Sequence, residues 1–446
     1  MAIRMMVCGA AAFAAFAGMA ATPVAVTLGT DGKVLACEGA KVSDVKAVRG
    51  NGGLSLSFDF APERPGAATI TVKGLTPMNW ILHEDEFMLG KYTYEQFAQG
   101  VQIEAPETAR ITIDKNGAPK KPKDWPVWKS RIVKVRSTLD GTDQPCYFWA
   151  PEKAKSEAVP LIVGLHTWSL DYHQLDHYKT VFNYAEKSGW AFVGPNFRGP
   201  NCTPMGCGSD YAVQDIVDAV NYAKAKVKID ASRVYIIGGS GGGHMTLLML
   251  GRHPEVFAGG AAFCPITNIA RWHDDSMEEH PGRGKNYARN LVAACGGTPA
   301  EKPEEYRHRS PLTWLPRAKE QNVPAYICTG IHDGWTGSVP VGHSFRAFNL
   351  LAAEKDRISE DDIAYIEKNQ AVPPALAAKW SDPFYSEKSR IHFRRTSGNV
   401  RLTIFEGGHG GPFSAGFDFL SRQRKGQPAD WTLPATGKGD YEALGR

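Results

Sequence analysis

The stretch Val234-Tyr235-Ile236-Ile237-Gly238-Gly239-Ser240-Gly241-Gly242-Gly243-His244-Met245 decides how the rest of the chain is read. A β-branched apolar run enters Gly-x-Ser-x-Gly, and a pattern rich in Met and Leu follows. A strand that reverses this sharply into a helix forces the serine into a strained backbone conformation, and only small neighbours let the two elements approach. The hydroxyl is then held above the sheet, with the helix N-terminus beneath it to favour developing negative charge. A glycine-rich phosphate loop is the competing reading, but no Lys follows where such a loop needs one. Ser240 is the candidate nucleophile.

A serine hydroxyl is a poor nucleophile at neutral pH and needs a base. Of the 13 histidines, His409 has the right setting, Ile404-Phe405-Glu406-Gly407-Gly408-His409-Gly410-Gly411, directly after an apolar strand. His244 lies about one helical turn beyond Ser240 and is expected to point away. The orienting acid is expected between serine and histidine in chain order. Asp333 fits, in Thr329-Gly330-Ile331-His332-Asp333-Gly334 after the strand Ala325 to Cys328; Glu406 is the reserve acid, and a helix-capping role is the bland alternative for Asp333. Two backbone N–H groups should face the developing oxyanion. Gly241 supplies one, and Thr167 or Trp168, in Leu165-His166-Thr167-Trp168-Ser169, the other. His166 and His332 are strand-end residues placed to line a pocket; the Trp168 indole could stack on a sugar or aryl ring, with buried packing as its default role.

Outward from this core, residues 130–446 alternate strand, turn and helix, which argues for an α/β architecture with a mainly parallel sheet covered by helices. Leu161-Ile162-Val163-Gly164-Leu165 has the continuous apolar character of a strand buried on both faces. Two charged, aromatic-rich segments, 268–316 and 354–397, read as insertions that shape a pocket roof. Residues 22–115 are strand-rich, with Leu54 to Phe60 and Ala68 to Val72 as examples, and read as a small β-sandwich-like accessory domain with a less regular end at His83-Glu84-Asp85-Glu86-Phe87. The Pro- and Lys-rich segment 116–129 reads as a linker.

The first residues differ from the rest. Arg4, the apolar run Met5 to Ala17 and the small residues Gly18 to Ala21 have the pattern of a secretory signal peptide over 1–21, so a secreted or periplasmic location is expected. Past that run no stretch of about 18–20 apolar residues occurs, so no membrane span is expected after its removal. The net charge is only +4 and the basic residues are dispersed, which gives no case for a nucleic-acid partner. Cys202 and Cys207 share one Pro/Gly-rich loop where a local disulfide is plausible in an oxidising compartment. No Cys/His spacing suggests a metal, and no cofactor is expected.

Residues 130–425 resemble the prolyl-oligopeptidase-like (peptidase S9-like) branch of the α/β-hydrolases. The resemblance rests on Asp140-Gly141-Thr142-Asp143-Gln144-Pro145-Cys146-Tyr147, Pro195-Asn196-Phe197-Arg198-Gly199, the Ser240 turn, Gly330-Ile331-His332-Asp333 with Val339-Pro340, and Gly407-Gly408-His409-Gly410. It implies an α/β-hydrolase fold, a Ser240–Asp333–His409 triad and an acyl-enzyme. His166, Trp168, Arg198 and Trp335 are the candidate substrate-binding residues. Three departures stand out: no large propeller precedes the linker, Gly241 replaces the Tyr common in the peptidases, and Gly334 to Ser338 separate Asp333 from Val339. They favour an exported hydrolase of carboxylic esters, such as carbohydrate-linked acyl or aryl esters. A peptidase releasing short peptides, with Glu84 or Glu86 gripping an amine, is the second reading. A non-catalytic binding protein on a hydrolase scaffold is the third.

Overall fold

The computed structural model describes residues 24–434 apart from 29–32, 51–52, 63–65, 76–78, 85–86, 106–107, 115–123 and 279–284. The expected signal segment and most of the expected linker therefore lie outside the described residues. The chain divides into two compact units, Met1–Trp125 and Pro126–Arg446.

In the first unit two antiparallel sheets share one core. Strands Val24–Leu28, Lys33–Glu38, Gly66–Lys73 and Val101–Ala105 form one sheet in that order. Ala40–Gly50, Gly53–Pro62, Ala109–Asp114, Asn79–Glu84 and Phe87–Thr93 form the other. Period-two alternation decides which face is inward: Ile70 and Val72 from one sheet meet Phe58, Phe60, Trp80, Leu82, Ile111 and Ile113 from the other. Of the stretch expected to be irregular, Asp85 and Glu86 lie outside the described residues, and the rest departs from its reading. Asn79–Glu84 pairs with Phe87–Thr93 as a hairpin because Trp80 and Leu82 point into this core. His83 is buried with its Nε2 2.9 Å from Asp114 Oδ1, and Glu84 is buried as well, which removes it as an exposed grip for an amine.

The linker reading also needs correction at its end. Trp125–Lys129 form a short helix, and Trp128 is buried edge-on against Tyr147 and Phe182, at 5.3 and 5.1 Å. Burial of this large ring outweighs the irregularity that the prolines suggested.

In the second unit nine strands among the described residues form one sheet. Its order is Ile132–Arg136, Asp143–Trp149, Ala191–Pro195, Val159–Leu165, Ile229–Gly239, Gly259–Phe263, Ala325–Gly330, Val400–Phe405, Ile391–Ser397. The six strands from Ala191–Pro195 to Val400–Phe405 run parallel, and antiparallel strands close both edges. Every residue of Val159–Leu165 is buried, as a parallel strand covered on both faces requires. The last strand overturns part of the second expected insertion: residues 391–397 are the sheet edge. Their pattern was disguised by Arg394, which is buried because its guanidinium pairs with Asp382 at 2.7 Å. The first insertion folds as helices Ile269–Met277, Lys285–Cys295, Pro303–His308 and Pro311–Glu320.

Two further expectations change. Cys202 and Cys207 are free thiols, and their loop is ordered from outside: the Arg309 guanidinium donates to the Gly206 and Pro204 carbonyls at 2.9 and 3.1 Å. Arg198, a candidate for substrate binding, is 6% exposed and fully engaged. It donates to Asp215 at 2.6 Å, Asp140 at 2.7 Å and Ser137 at 2.9 Å, tying the turn between strands Ile132–Arg136 and Asp143–Trp149 to helix Asp210–Lys226. Its task is structural. Arg198→Ala strands two carboxylates, one of them buried, and should cost about 3–5 kcal/mol in urea unfolding. An unchanged midpoint would show that the pairing does not hold these elements.

Candidate active site

Strand Ile229–Gly239 ends at Ser240, and helix Gly241–Arg252 starts at the next residue. Ser240 has φ 57° and ψ −119°, a conformation that costs a non-glycine residue about 1–3 kcal/mol and persists only where its surroundings enforce it. Here they do. A Cβ on Gly238 would sit 2.5 Å from the Gly242 carbonyl, so glycine is required for strand and helix to meet. The Ser240 N–H donates to Phe263 O at 2.8 Å, and its carbonyl accepts from His244 N at 2.8 Å. His244 points away, as expected, and its Nε2 reaches Arg309 O at 2.8 Å.

Across from the turn lies the loop after strand Val159–Leu165. A Cβ on Gly241 would lie 2.5 Å from Trp168 N, so the two backbones are in direct contact. Of the two residues proposed to share the oxyanion site with Gly241, Thr167 is already committed: its N–H donates to Gln174 Oε1 at 2.8 Å. The N–H groups of Trp168 and Gly241 have no acceptor among the described residues. That leaves Trp168 and Gly241 as the paired donors a carbonyl oxygen could meet.

Three candidate substrate-binding side chains are otherwise occupied. His166 is buried, stacked 3.8 Å from Phe197, with Nε2 2.9 Å from Asn196 O and Nδ1 2.8 Å from Thr167 O. Burial draws its pKa below the usual histidine value despite those carbonyls, and its part is to fasten the loop. The Trp168 indole is 2% exposed and packs edge-on to Trp272 at 4.7 Å, so it cannot stack on a sugar. The Trp335 indole donates to Glu367 O at 2.8 Å and turns toward helix Glu360–Asn369.

Asp333 and His409 meet. His409 Nδ1 lies 2.8 and 3.0 Å from the two Asp333 oxygens. Asp333 is 1% exposed, and its Oδ1 also accepts from Gly334 N at 3.0 Å and Val339 N at 3.2 Å. The additional residues 334–338 thus wrap the carboxylate, and a Cβ on Gly337 would collide with both Asp333 and His409. The following helix begins at Gly342 without an Asp333 cap. Burial pulls the His409 pKa down, but the charge and hydrogen bond of Asp333 more than offset it, and the net shift is upward. His409 Nε2 has no partner among the described residues, and Ser240 Oγ makes no hydrogen bond to it. Such contacts are often loose before substrate arrives. What joins the two segments is Cys264: it follows Phe263, the acceptor for Ser240 N, and its Sγ donates to Gly410 O at 3.0 Å.

Glu406, the reserve acid, faces away from His409. It lies 2.7 Å from His332 Nε2 and 2.8 Å from His392 Nε2, and those two hydrogen bonds hold its carboxyl below the usual range. His332 Nδ1 reaches Gln370 Oε1 at 2.7 Å. This bridge ties the loop that carries Asp333 to the end of the strand preceding His409. Neither it nor Gln174 and Cys264 was found from the sequence, since each is defined by contacts between distant segments.

Residues 208–363 match the prolyl oligopeptidase family. A feruloyl esterase B of Neurospora crassa is 32% identical over 131 residues, 27% of this chain and 44% of that protein. Dipeptidyl aminopeptidase BIII of Pseudoxanthomonas mexicana is 26% identical over 292 residues, 60% of this chain and 39% of that protein. The chain thus spans less than half the length of both curated relatives. Among solved structures, the acylaminoacyl peptidase of Pyrococcus horikoshii aligns with 92% of this chain and 64% of its own, at 15% identity and a TM-score of 0.45. The segment that matches this family contains Ser240 and Asp333 and lies in a domain with the α/β-hydrolase fold, a mostly parallel sheet flanked by helices.

Proposed function

We propose that this chain is a serine hydrolase that cleaves a carboxylic ester through an acyl-enzyme. The observation that carries the reading is the strained Ser240 beside the closely packed backbones of Trp168 and Gly241, whose N–H groups have no acceptor among the described residues. A substrate carbonyl oxygen placed between those amides gains its full hydrogen bonding only as it becomes an oxyanion. Ser240 Oγ attacks the carbonyl carbon while His409 Nε2 takes its proton. Asp333 keeps Nδ1 protonated and stabilises the imidazolium, which then protonates the leaving alkoxide. Water, activated by the same imidazole, releases the acid and restores the serine.

An acyl or aryl ester is the favoured substrate class. The similarity to feruloyl esterases over the matched segment supports it, whereas stacking by Trp168 and Trp335 no longer does. The similarity to a dipeptidyl aminopeptidase, which extends over more of the chain, supports a peptidase as the second reading. Export is proposed from the leading residues Arg4 to Ala21 alone.

Incubation with p-nitrophenyl acetate, feruloyl and acetyl sugars, and dipeptidyl anilides separates these readings. Turnover of the esters with negligible anilide cleavage is expected, and Ser240→Ala should lower kcat by about 10⁶-fold. Rapid anilide turnover with indifference to esters would overturn the ester assignment, and survival of activity in Ser240→Ala would overturn the mechanism. The pH dependence follows from His409. Only neutral imidazole can accept the proton, so kcat/KM should rise with pH and level off above the ordinary histidine value of 6.5, because Asp333 raises the folded-state pKa. Asp333→Asn should lower kcat by about 10⁴-fold and move that limb to lower pH. A limb unmoved by the substitution would separate Asp333 from the base.

A further inference from the structure

Cys264 sits at the end of strand Gly259–Phe263 with φ 45°, buried beside the Asp333–His409 pair. Beyond linking the two segments through Gly410 O, its thiol takes part in no chemical step of the mechanism. Burial, and after it the negative charge of Asp333, push its thiol pKa well above the usual value, so it is a neutral thiol and no rival nucleophile. One ligand atom from each of Cys264, Asp333 and His409 lies within 4.8 Å of the others. Thiol, imidazole and carboxylate together form a mixed donor set suited to a borderline-soft divalent cation. Zn–N and Zn–O bonds of about 2.0–2.1 Å and a Zn–S bond of about 2.3 Å leave tetrahedral ligands roughly 3.3–3.6 Å apart. His409 Nδ1 and Asp333 Oδ2 are at 2.8 Å, so a small spreading of the pair and a side-chain adjustment of Cys264 would admit the ion.

We propose that Cys264, Asp333 and His409 form an inhibitory site for a thiophilic divalent cation of the zinc and cadmium type. The cation takes the Cys264 sulfur as thiolate, releasing one proton to solvent, and takes Nδ1 of His409 in place of its proton, with one Asp333 oxygen as third ligand. The Nδ1 proton moves to Nε2, so the lone pair that would accept the Ser240 proton is lost. No electron transfer occurs. The inhibition rests on the role proposed above for His409; the binding does not. Because the oxyanion donors are untouched, the cation should lower kcat and leave KM nearly unchanged.

The test uses the full chain, freed of metal by chelation. Zinc should inhibit ester hydrolysis by the wild type, reversibly on adding EDTA. Measured against its own metal-free rate, Cys264→Ala should need at least about tenfold more zinc for half-inhibition than the wild type. Cys264→Ser, which keeps a donor to Gly410 O but is a poorer ligand, guards against an unfolded alanine variant. Independently of activity, cadmium titration of Ser240→Ala should give an ultraviolet thiolate-to-cadmium absorption that is reduced in the Ser240→Ala, Cys264→Ala double variant. Equal zinc sensitivity with and without Cys264, an equal cadmium band in both proteins, or an active wild type indifferent to zinc would overturn the proposal. A wild type that hydrolyses none of the substrates would instead overturn the proposed function, and the cadmium titration would still decide whether the site exists.

Discussion

The contact between the Gly241 and Trp168 backbones governs the geometry of the candidate site. At 2.5 Å from a notional Cβ there is no room for any side chain on Gly241, and a shift of either segment would separate the two amides. The sheet sets this distance. Strands Val159–Leu165 and Ile229–Gly239 are parallel neighbours, so the loops at their carboxyl ends emerge side by side. Ligands in open α/β sheets bind outside those ends for the same reason. The strain at Ser240 is sustained because the helix behind it is buried and cannot relax outward: its neighbour Pro311–Glu320 comes so close that a Cβ on Gly251 would meet Trp314 at 2.6 Å.

The other half of the site depends on electrostatics rather than close packing. A buried carboxylate is costly unless its oxygens are satisfied, and Asp333 obtains two backbone donors from the segment that follows it and the imidazole of His409. Gly334, the first of the residues that separate this chain from the peptidase pattern, supplies one of those backbone donors, and Val339, just past them, supplies the other. Glu406 adds a second tie to the Asp333 loop through His332 and a further one to the edge strand through His392. Ring orientation at His409 is thus supported on one side by Asp333 and on the other by a strand end anchored through Glu406.

Much of this was legible in the sequence because the signals are local. The strand before Ser240, the glycines around it, and the positions of Asp333 and His409 after apolar strands need no knowledge of distant residues. What escaped was decided by partners far along the chain. Strand Ile391–Ser397 was hidden because Arg394 is buried against Asp382, which broke the expected alternation. The disulfide expected in the 202–207 loop gave way to an ordering cation, Arg309, from the first insertion. Side-chain direction was the other source of error: His166 and Arg198 were expected to reach substrate, yet each turns its side chain into the protein.

The central claim is spatial, that the Ser240 hydroxyl, the two amides and the imidazole converge on one reacting carbonyl. A crystal structure of the chain inactivated with a fluorophosphonate tests it most directly. Phosphorus is expected on Ser240 Oγ, with the phosphonyl oxygen within hydrogen-bond reach of Trp168 N and Gly241 N and His409 Nε2 turned toward the serine oxygen. Labelling at another residue, or an adduct whose oxygen points away from both amides, would contradict it.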